Sequence, residues 1–128
     1  MNATLKEWVS KAEGDDATAA RELRATETPN YDAVCFYAQQ CVEKLMKALL
    51  IQAGVIPSRT HDLTSLSQLL GPACPEWSWP AQELRFLTRA GVEFRYPGES
   101  ANFEEASDSF TIVTRLRVRL RSLLGISE

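Results

Sequence analysis

The sequence predicts a single all-α domain, folded as an antiparallel up-and-down helical bundle of four long helices and one short helix. Apolar residues recur every three or four positions along most of the 128 residues. No segment alternates between apolar and polar residues as a half-exposed strand would. Segments rich in Gly and Pro divide the pattern into separate runs, and short connections favour antiparallel neighbours. A chain of this length fits one domain, residues 1–128.

The first two helices are predicted at about Thr4 to Arg24 and about Tyr31 to Ala53. Thr4 and Glu7 have the spacing of a capping box at the start of the first helix. Gly54 ends the second helix. The core face of the second helix comprises Val34, Ala38, Cys41, Leu45, Ala48 and Leu49.

Three further helices follow. A short one is predicted at about Leu63 to Leu70, and either Thr60 or Asp62 would cap it. The segment GPACPEWSWP is a loop, and a fourth helix spans about Pro80 to Phe94. The fifth spans about Phe103 to Leu124 and begins with a capping pair, Asn102 and Glu105.

Composition excludes several classes of protein. The net charge of −3 argues against a general nucleic-acid coat, although seven of the ten arginines lie between Arg85 and Arg121. Three cysteines, no CxxC pair and a single histidine argue against a structural zinc site. The sequence shows no Gly-rich phosphate loop, nucleophile elbow or metal triad, so we expect no cofactor and no metal. It also lacks a membrane-length apolar run and a signal peptide, so we expect a cytoplasmic protein without membrane association.

One segment carries a recognisable pattern: YDAVCFYAQQCVEKLMKALLIQAGVIPSRTHDLTSL. Its matching features are Tyr31, the stretch from Phe36 to Gln40, Glu43-Lys44, Lys47-Ala48-Leu49 and Thr60-His61-Asp62-Leu63. Trp8-Val9 near the start and Arg95-Tyr96-Pro97 after the fourth helix add to it. With these features in order, the chain resembles the HEPN family of prokaryotic helical-bundle proteins.

The resemblance implies a helical bundle that commonly forms a homodimer and is often paired with a nucleotidyltransferase encoded beside it. Many HEPN proteins are, or resemble, ribonuclease toxins of toxin–antitoxin or phage-defence systems, and others bind nucleotides or RNA without catalysis. The ribonuclease branch carries an Arg followed closely by a His. Here Arg95 is followed by Tyr96, and no His lies downstream. The usual motif is therefore absent, which argues against an enzyme.

Two places are candidates for ligand binding. Arg95 and Tyr96 would hold a phosphate and stack a base, or would only end the fourth helix. His61 is the one side chain suited to proton transfer near neutral pH, and Arg59 would supply a cation beside it. Alternatively, His61 and Asp62 orient the loop and cap the third helix, which is the interpretation we favour.

Two further sets of polar residues are more ambiguous. Gln40, Glu43, Lys44 and Lys47 lie on one side of the second helix, either as a ligand-facing wall or as a satisfied polar strip between helices. On the fifth helix, Arg115 and Arg119 share one side, and Arg117 and Arg121 share another. This arrangement is typical of a mostly solvated or partner-facing helix.

Three functional hypotheses follow. The first is a nucleotide- or RNA-binding module that acts with a partner nucleotidyltransferase, with ligand-binding residues Arg95, Tyr96, His61, Arg59, Lys44, Lys47 and Gln40. The second is an endoribonuclease toxin with His61 or Arg95 at its catalytic site. The third is a purely structural dimeric subunit. The sequence does not identify the ligand, or whether Tyr96 is modified by a partner.

Overall fold

The computed structural model describes residues 1–94 and 96–126, and the described chain contains helices and no strand. The helices are α1 (Ala3–Arg24), α2 (Tyr31–Gln52), α3 (Leu63–Leu70), α4 (Ala81–Glu93) and α5 (Phe103–Leu123), with a 3-10 turn at Gly71–Ala73. The all-α prediction is confirmed. Each predicted helix end lies within one residue of the observed end.

Helix α2 is the centre of the bundle, because all four other helices pack against it. Apolar residues surround most of its circumference, and a helix with that pattern is stable only when neighbours cover it on several sides. Its largest fully buried side chains are Val34, Val42, Leu45, Met46 and Leu50, together with the polar Gln39.

Contacts between helices give the up-and-down order. Asp32 in the first turn of α2 accepts a hydrogen bond from the backbone N–H of Ala101, just before α5, so these two helices start at the same end. Helix α4 runs the other way, since Glu83 in its first turn pairs with Arg115 in the second half of α5. No described helix is long and apolar enough to cross a membrane.

The helix caps agree with the sequence in two of three cases. The predicted capping box at Thr4 is wrong, because Asn2 is the cap: its side chain accepts from the N–H of Leu5 at 2.8 Å. A better cap two residues earlier lets α1 begin at Ala3. The pair Asn102 and Glu105 forms the predicted reciprocal box, with bonds of 2.8 and 2.9 Å.

At α3, the structure decides between the two possible caps. Asp62 is the cap, since its Oδ1 accepts from the N–H of Thr64 at 3.0 Å. Thr60 supports the cap indirectly by accepting from the N–H of Asp62 at 3.0 Å. The loop before α3 is thus fixed by local bonds, and it carries His61 to the side of α2.

Candidate functional site

The candidate site is built around Glu43, a carboxylate in the middle of α2 that is only 3 % exposed. A buried carboxylate is stable only if donors replace its water. Lys47 Nζ lies 2.9 Å from Oε2, and Gln39 Nε2 lies 3.0 Å from Oε1. His61 Nδ1 lies 2.9 Å from Oε1 and 3.1 Å from Oε2. Glu43 therefore joins α2 to the loop before α3.

Helical spacing accounts for the first two partners. Gln39, Glu43 and Lys47 are four residues apart, so their side chains lie on the same face of α2. His61 comes from the loop, and its backbone carbonyl is also bound: Gln39 Nε2 donates to it at 2.9 Å. Gln39 thus binds the backbone of His61, while Glu43 binds its ring.

Electrostatics keep Glu43 ionised. Burial raises the pKa of this carboxyl, but hydrogen bonds from Gln39, Lys47 and His61 outweigh burial and hold the pKa below its ordinary value. An ionised carboxylate only accepts hydrogen bonds, so His61 Nδ1 carries the proton in their contact. Nε2 is then the nitrogen with a free lone pair when the ring is neutral.

The His61 ring is anchored at one edge and open to solvent elsewhere. Its side chain is 68 % exposed, whereas the Glu43 side chain is 5 % exposed. A histidine held this way has a fixed tautomer and a fixed orientation, which are the requirements for binding or proton transfer through Nε2. The interpretation that His61 and Asp62 orient the loop and cap α3 agrees with these contacts: the Asp62 side chain provides the cap, and the His61 backbone and ring hold the loop against α2.

Of the predicted cations, Arg59 shares the loop with His61, whereas Lys44 and Lys47 each bind a carboxylate of the bundle. Arg59 is exposed, and no ion pair between described residues includes it. Lys44 Nζ binds Asp15 Oδ2 of α1 at 2.6 Å, away from Glu43. Lys47 has a side chain only 8 % exposed and is the counterion of Glu43. Arg59 is thus a predicted cation on the His61 loop that is exposed and forms no ion pair with a described residue.

Gln40 and Tyr96 complete the predicted set. Gln40 is half-buried, and its Nε2 donates to Gln39 Oε1 at 2.8 Å, so it borders the site. Tyr96 lies in the turn after α4 with 64 % of its surface exposed, as expected for a rim position. Arg95 lies outside the described residues, so a groove formed by Arg95 and Tyr96 stays a prediction.

The arginines of α5 lie outside this site. Arg117 Nε and Arg121 Nη1 both bind Glu13 of α1, at 2.7 and 2.6 Å. Their side chains are 25 % and 14 % exposed, so the expectation of a mostly solvated helix is wrong for this side. It is correct for Arg115, which is 59 % exposed, and Arg119 lies over the ring of Trp77.

Glu43 was placed on the predicted polar face of α2, but neither Glu43 nor Gln39 was predicted as a site residue, although they are the two most buried polar groups of the site. The bonds of Glu43 to Gln39 and Lys47 agree with the alternative of a satisfied polar strip. A signal was present: α2 carries apolar residues around most of its circumference, so neighbouring elements had to cover part of its polar face as well. Recognising that His61 would meet them required the path of the loop before α3, which local patterns do not give.

Comparisons with known proteins agree with the helical architecture. The family model described as "HEPN domain" matches residues 5–123. The crystal structure of an archaeal HEPN homologue is similar, with 24 % identity and a TM-score of 0.66, covering 92 % of this chain and 95 % of that one. None of the curated proteins matches the chain. At that identity, the likeness to the archaeal structure shows a shared fold.

Proposed function

The chain belongs to the HEPN family, and on that premise we propose that it is a nucleotide- or RNA-binding module. It acts with a partner nucleotidyltransferase in a toxin–antitoxin or defence-type system. The observation that carries the binding role is the His61 ring, anchored by a buried carboxylate and 68 % exposed. Ordering an exposed side chain in advance lowers the entropic cost of binding.

The ligand group is a phosphate. A protonated imidazole donates through Nε2, and the guanidinium of Arg59 offers a planar fork of donors that matches phosphate oxygens. The two carboxylates near the ring, those of Glu43 and Asp62, already accept hydrogen bonds from protein donors. Lys47 binds Glu43, and Asp62 accepts bonds from Thr64 and Ser65 at 3.0 Å each. The buried carboxylate therefore orients His61 without opposing an anion.

Direct binding tests this proposal. Fluorescence anisotropy of a labelled single-stranded RNA would compare wild type with His61→Gln and Arg59→Gln, and ATP would serve as competitor. Each variant removes one charge-assisted bond, so affinity falls by roughly tenfold. Arg24→Gln is the control, because it removes one positive charge, as Arg59→Gln does, from an exposed position in the last turn of α1.

Two results would contradict the proposal. One is equal affinity in wild type and His61→Gln. The other is an equal loss in Arg24→Gln, which would mean that RNA responds to net charge alone. Binding should also be stronger at lower pH, because a protonated imidazole adds a positive charge. His61→Gln should lose that pH dependence.

RNA cleavage is a second candidate function, favoured by the contact between His61 and Glu43. Nε2 would take the proton of a ribose 2′-hydroxyl, and the 2′-oxygen would attack the adjacent phosphorus to form a 2′,3′-cyclic phosphate. The bond from phosphorus to the 5′-oxygen would break, and the 5′-oxygen would leave as a hydroxyl that takes its proton from water or from the imidazolium. Arg59 would stabilise the charge on the phosphoryl oxygens. A carboxylate on Nδ1 stabilises the imidazolium formed in the first step.

Incubation with a defined RNA separates the two candidates. Cleavage that His61→Ala or Arg95→Ala abolishes, and that a 2′-deoxy linkage blocks, supports the nuclease. Binding without cleavage supports the binding module. A dimer that responds to neither nucleotide nor RNA supports a structural subunit and contradicts both.

The partner is tested separately. Co-expression with a nucleotidyltransferase encoded beside this chain should give a complex that survives size-exclusion chromatography. Separate elution of the two proteins at micromolar concentration would contradict that part of the proposal.

A further inference from the structure

Helices α2 and α4 approach each other unusually closely at Gly91. A Cβ atom added to Gly91 would lie 2.7 Å from Cβ and 2.9 Å from Cγ of Gln39. Two carbon atoms cannot pack at that distance without one helix moving, since optimal contact is about 3.5–4.0 Å. The absence of a side chain at Gly91 therefore determines where the stem of Gln39 lies.

The amide of Gln39 has every polar group engaged. Nε2 donates to Glu43 Oε1 at 3.0 Å and to the backbone carbonyl of His61 at 2.9 Å, and Oε1 accepts from Gln40 at 2.8 Å. A flipped amide would place its oxygen against two acceptors, so only this orientation is stable. Because Gln39 is only 2 % exposed, solvent has little access to replace these hydrogen bonds.

These contacts connect α4 to the His61 ring. Gly91 admits the Gln39 stem, the Gln39 amide holds the backbone of His61, and that backbone sets the ring edge against Glu43. We propose that Gln39 and Gly91 are positioning residues that hold Nδ1–H of His61 against Glu43, so that Nε2 faces outward and, once protonated, donates to an incoming phosphate.

This inference rests on the proposed function only for the identity of the ligand. The tautomer itself is a property of the free protein. Without the amide, the loop loses the backbone bond that ties His61 to α2 and keeps only the ring contact with Glu43. The ring is then freer to rotate or to exchange the proton between its nitrogens. The binding site would then exist in several arrangements, and only one of them would match the ligand.

The test uses the fact that His61 is the only histidine. Long-range ¹H–¹⁵N NMR at a pH where the ring is neutral reports which nitrogen is protonated, without overlap. Gln39→Met is the main variant, because methionine keeps an unbranched stem against Gly91 and lacks the amide. Gln52→Met is the control, since Gln52 is exposed at the end of the same helix.

We expect the Nδ1–H form in wild type and Gln52→Met, and a mixture with the Nε2–H form in Gln39→Met. Gly91→Ala should give the same mixture through the displaced stem. If Gly91→Ala does not fold, Gln39→Met alone decides. Retention of the pure Nδ1–H form in folded Gln39→Met would overturn the inference.

RNA affinity measured on the same samples separates this inference from the proposed function. A tautomer change in Gln39→Met with no RNA binding by wild type would support positioning and reject the ligand. RNA binding by wild type that requires His61, with an unchanged tautomer in Gln39→Met, would support the ligand and reject positioning.

Discussion

Replacing Glu43 by Gln tests how strongly the buried carboxylate is coupled to its partners. Glu43→Gln keeps the shape but removes the charge that Lys47 faces, and the Lys47 side chain is only 8 % exposed. Removing one member of a buried ion pair costs about 3–5 kcal/mol, because the remaining charge stays desolvated. Since glutamine still offers one acceptor oxygen, we expect a loss at the lower end, about 3 kcal/mol.

Chemical denaturation followed by circular dichroism at neutral pH measures this loss. A domain of this kind has a free energy of unfolding of roughly 5–15 kcal/mol, so the variant should still fold. Glu93→Gln is the control, because Glu93 and Arg89 form another pair four residues apart with side chains 43 % and 71 % exposed. That control should lose less than about 0.5 kcal/mol.

A double-mutant cycle completes the measurement. Lys47→Met leaves the Glu43 charge buried, and the double variant Glu43→Gln/Lys47→Met leaves no charge, so its loss should be smaller than the sum of the two single losses by about 1–3 kcal/mol. Additive losses, or a loss in Glu43→Gln no larger than in Glu93→Gln, would refute the account of Glu43 as a buried, coupled charge.

The same carboxylate makes stability depend on pH. The pKa of Glu43 is lower in the folded chain than its ordinary value of 4.5, so its contribution is complete above that pH. The contribution is lost as pH falls through the lowered pKa. Glu43→Gln should therefore have a flatter dependence of unfolding free energy on acidic pH than wild type.

Four further predictions concern other contacts of the bundle. Gly91→Ala should lower the free energy of unfolding by about 1–3 kcal/mol. Gly14→Ala should raise it by about 0.5–1 kcal/mol, because a Cβ added at Gly14 meets nothing within 4 Å. Equal effects of the two substitutions in denaturation curves would contradict the close packing at Gly91. Glu13→Gln should cost about 1–2 kcal/mol through two lost arginine bonds. Burial raises the pKa of Asp16 despite the nearby Arg117, which means that burial disfavours its charged form. Asp16→Asn should therefore leave the free energy of unfolding at pH 7 unchanged or raise it. A loss of stability as large as that of Glu13→Gln would contradict this expectation. In the folded protein a thiol reagent should modify Cys74 first, because Cys74 is only partly buried whereas the other two cysteines are buried, although burial raises the pKa of all three thiols. Three equal rates would contradict the core packing.

The fold was predictable because its signals are local. Apolar spacing and breaks such as Gly54 determine where helices begin and end, and those signals do not depend on the rest of the chain. The exception, the start of α1, shows the limit: Thr4 and Glu7 fit the spacing of a capping box, but Asn2 is the stronger N-cap residue type, and spacing alone does not reveal that preference.

The site was predictable only in part, because it depends on which faces of the helices meet. His61 and Arg59 were identified from residue type. Lys44 and Lys47 were assigned to one polar face, yet the bundle directs Lys44 to α1 and buries Lys47 beside Glu43. Lys44 and Lys47 are only three positions apart on α2, yet they face different neighbours. Which neighbour each lysine faces depends on where α1 and the loop before α3 pack.

The most direct test of the central claim is an NMR titration of the ¹⁵N-labelled protein with single-stranded RNA, observed at the ring of the one histidine. We predict that the Nε2 resonance of His61 shifts on RNA addition and saturates at the affinity measured by anisotropy, while Nδ1 stays protonated toward Glu43. Tight RNA binding that leaves both ring nitrogens of His61 unchanged would contradict the claim that this histidine is the ligand-facing group.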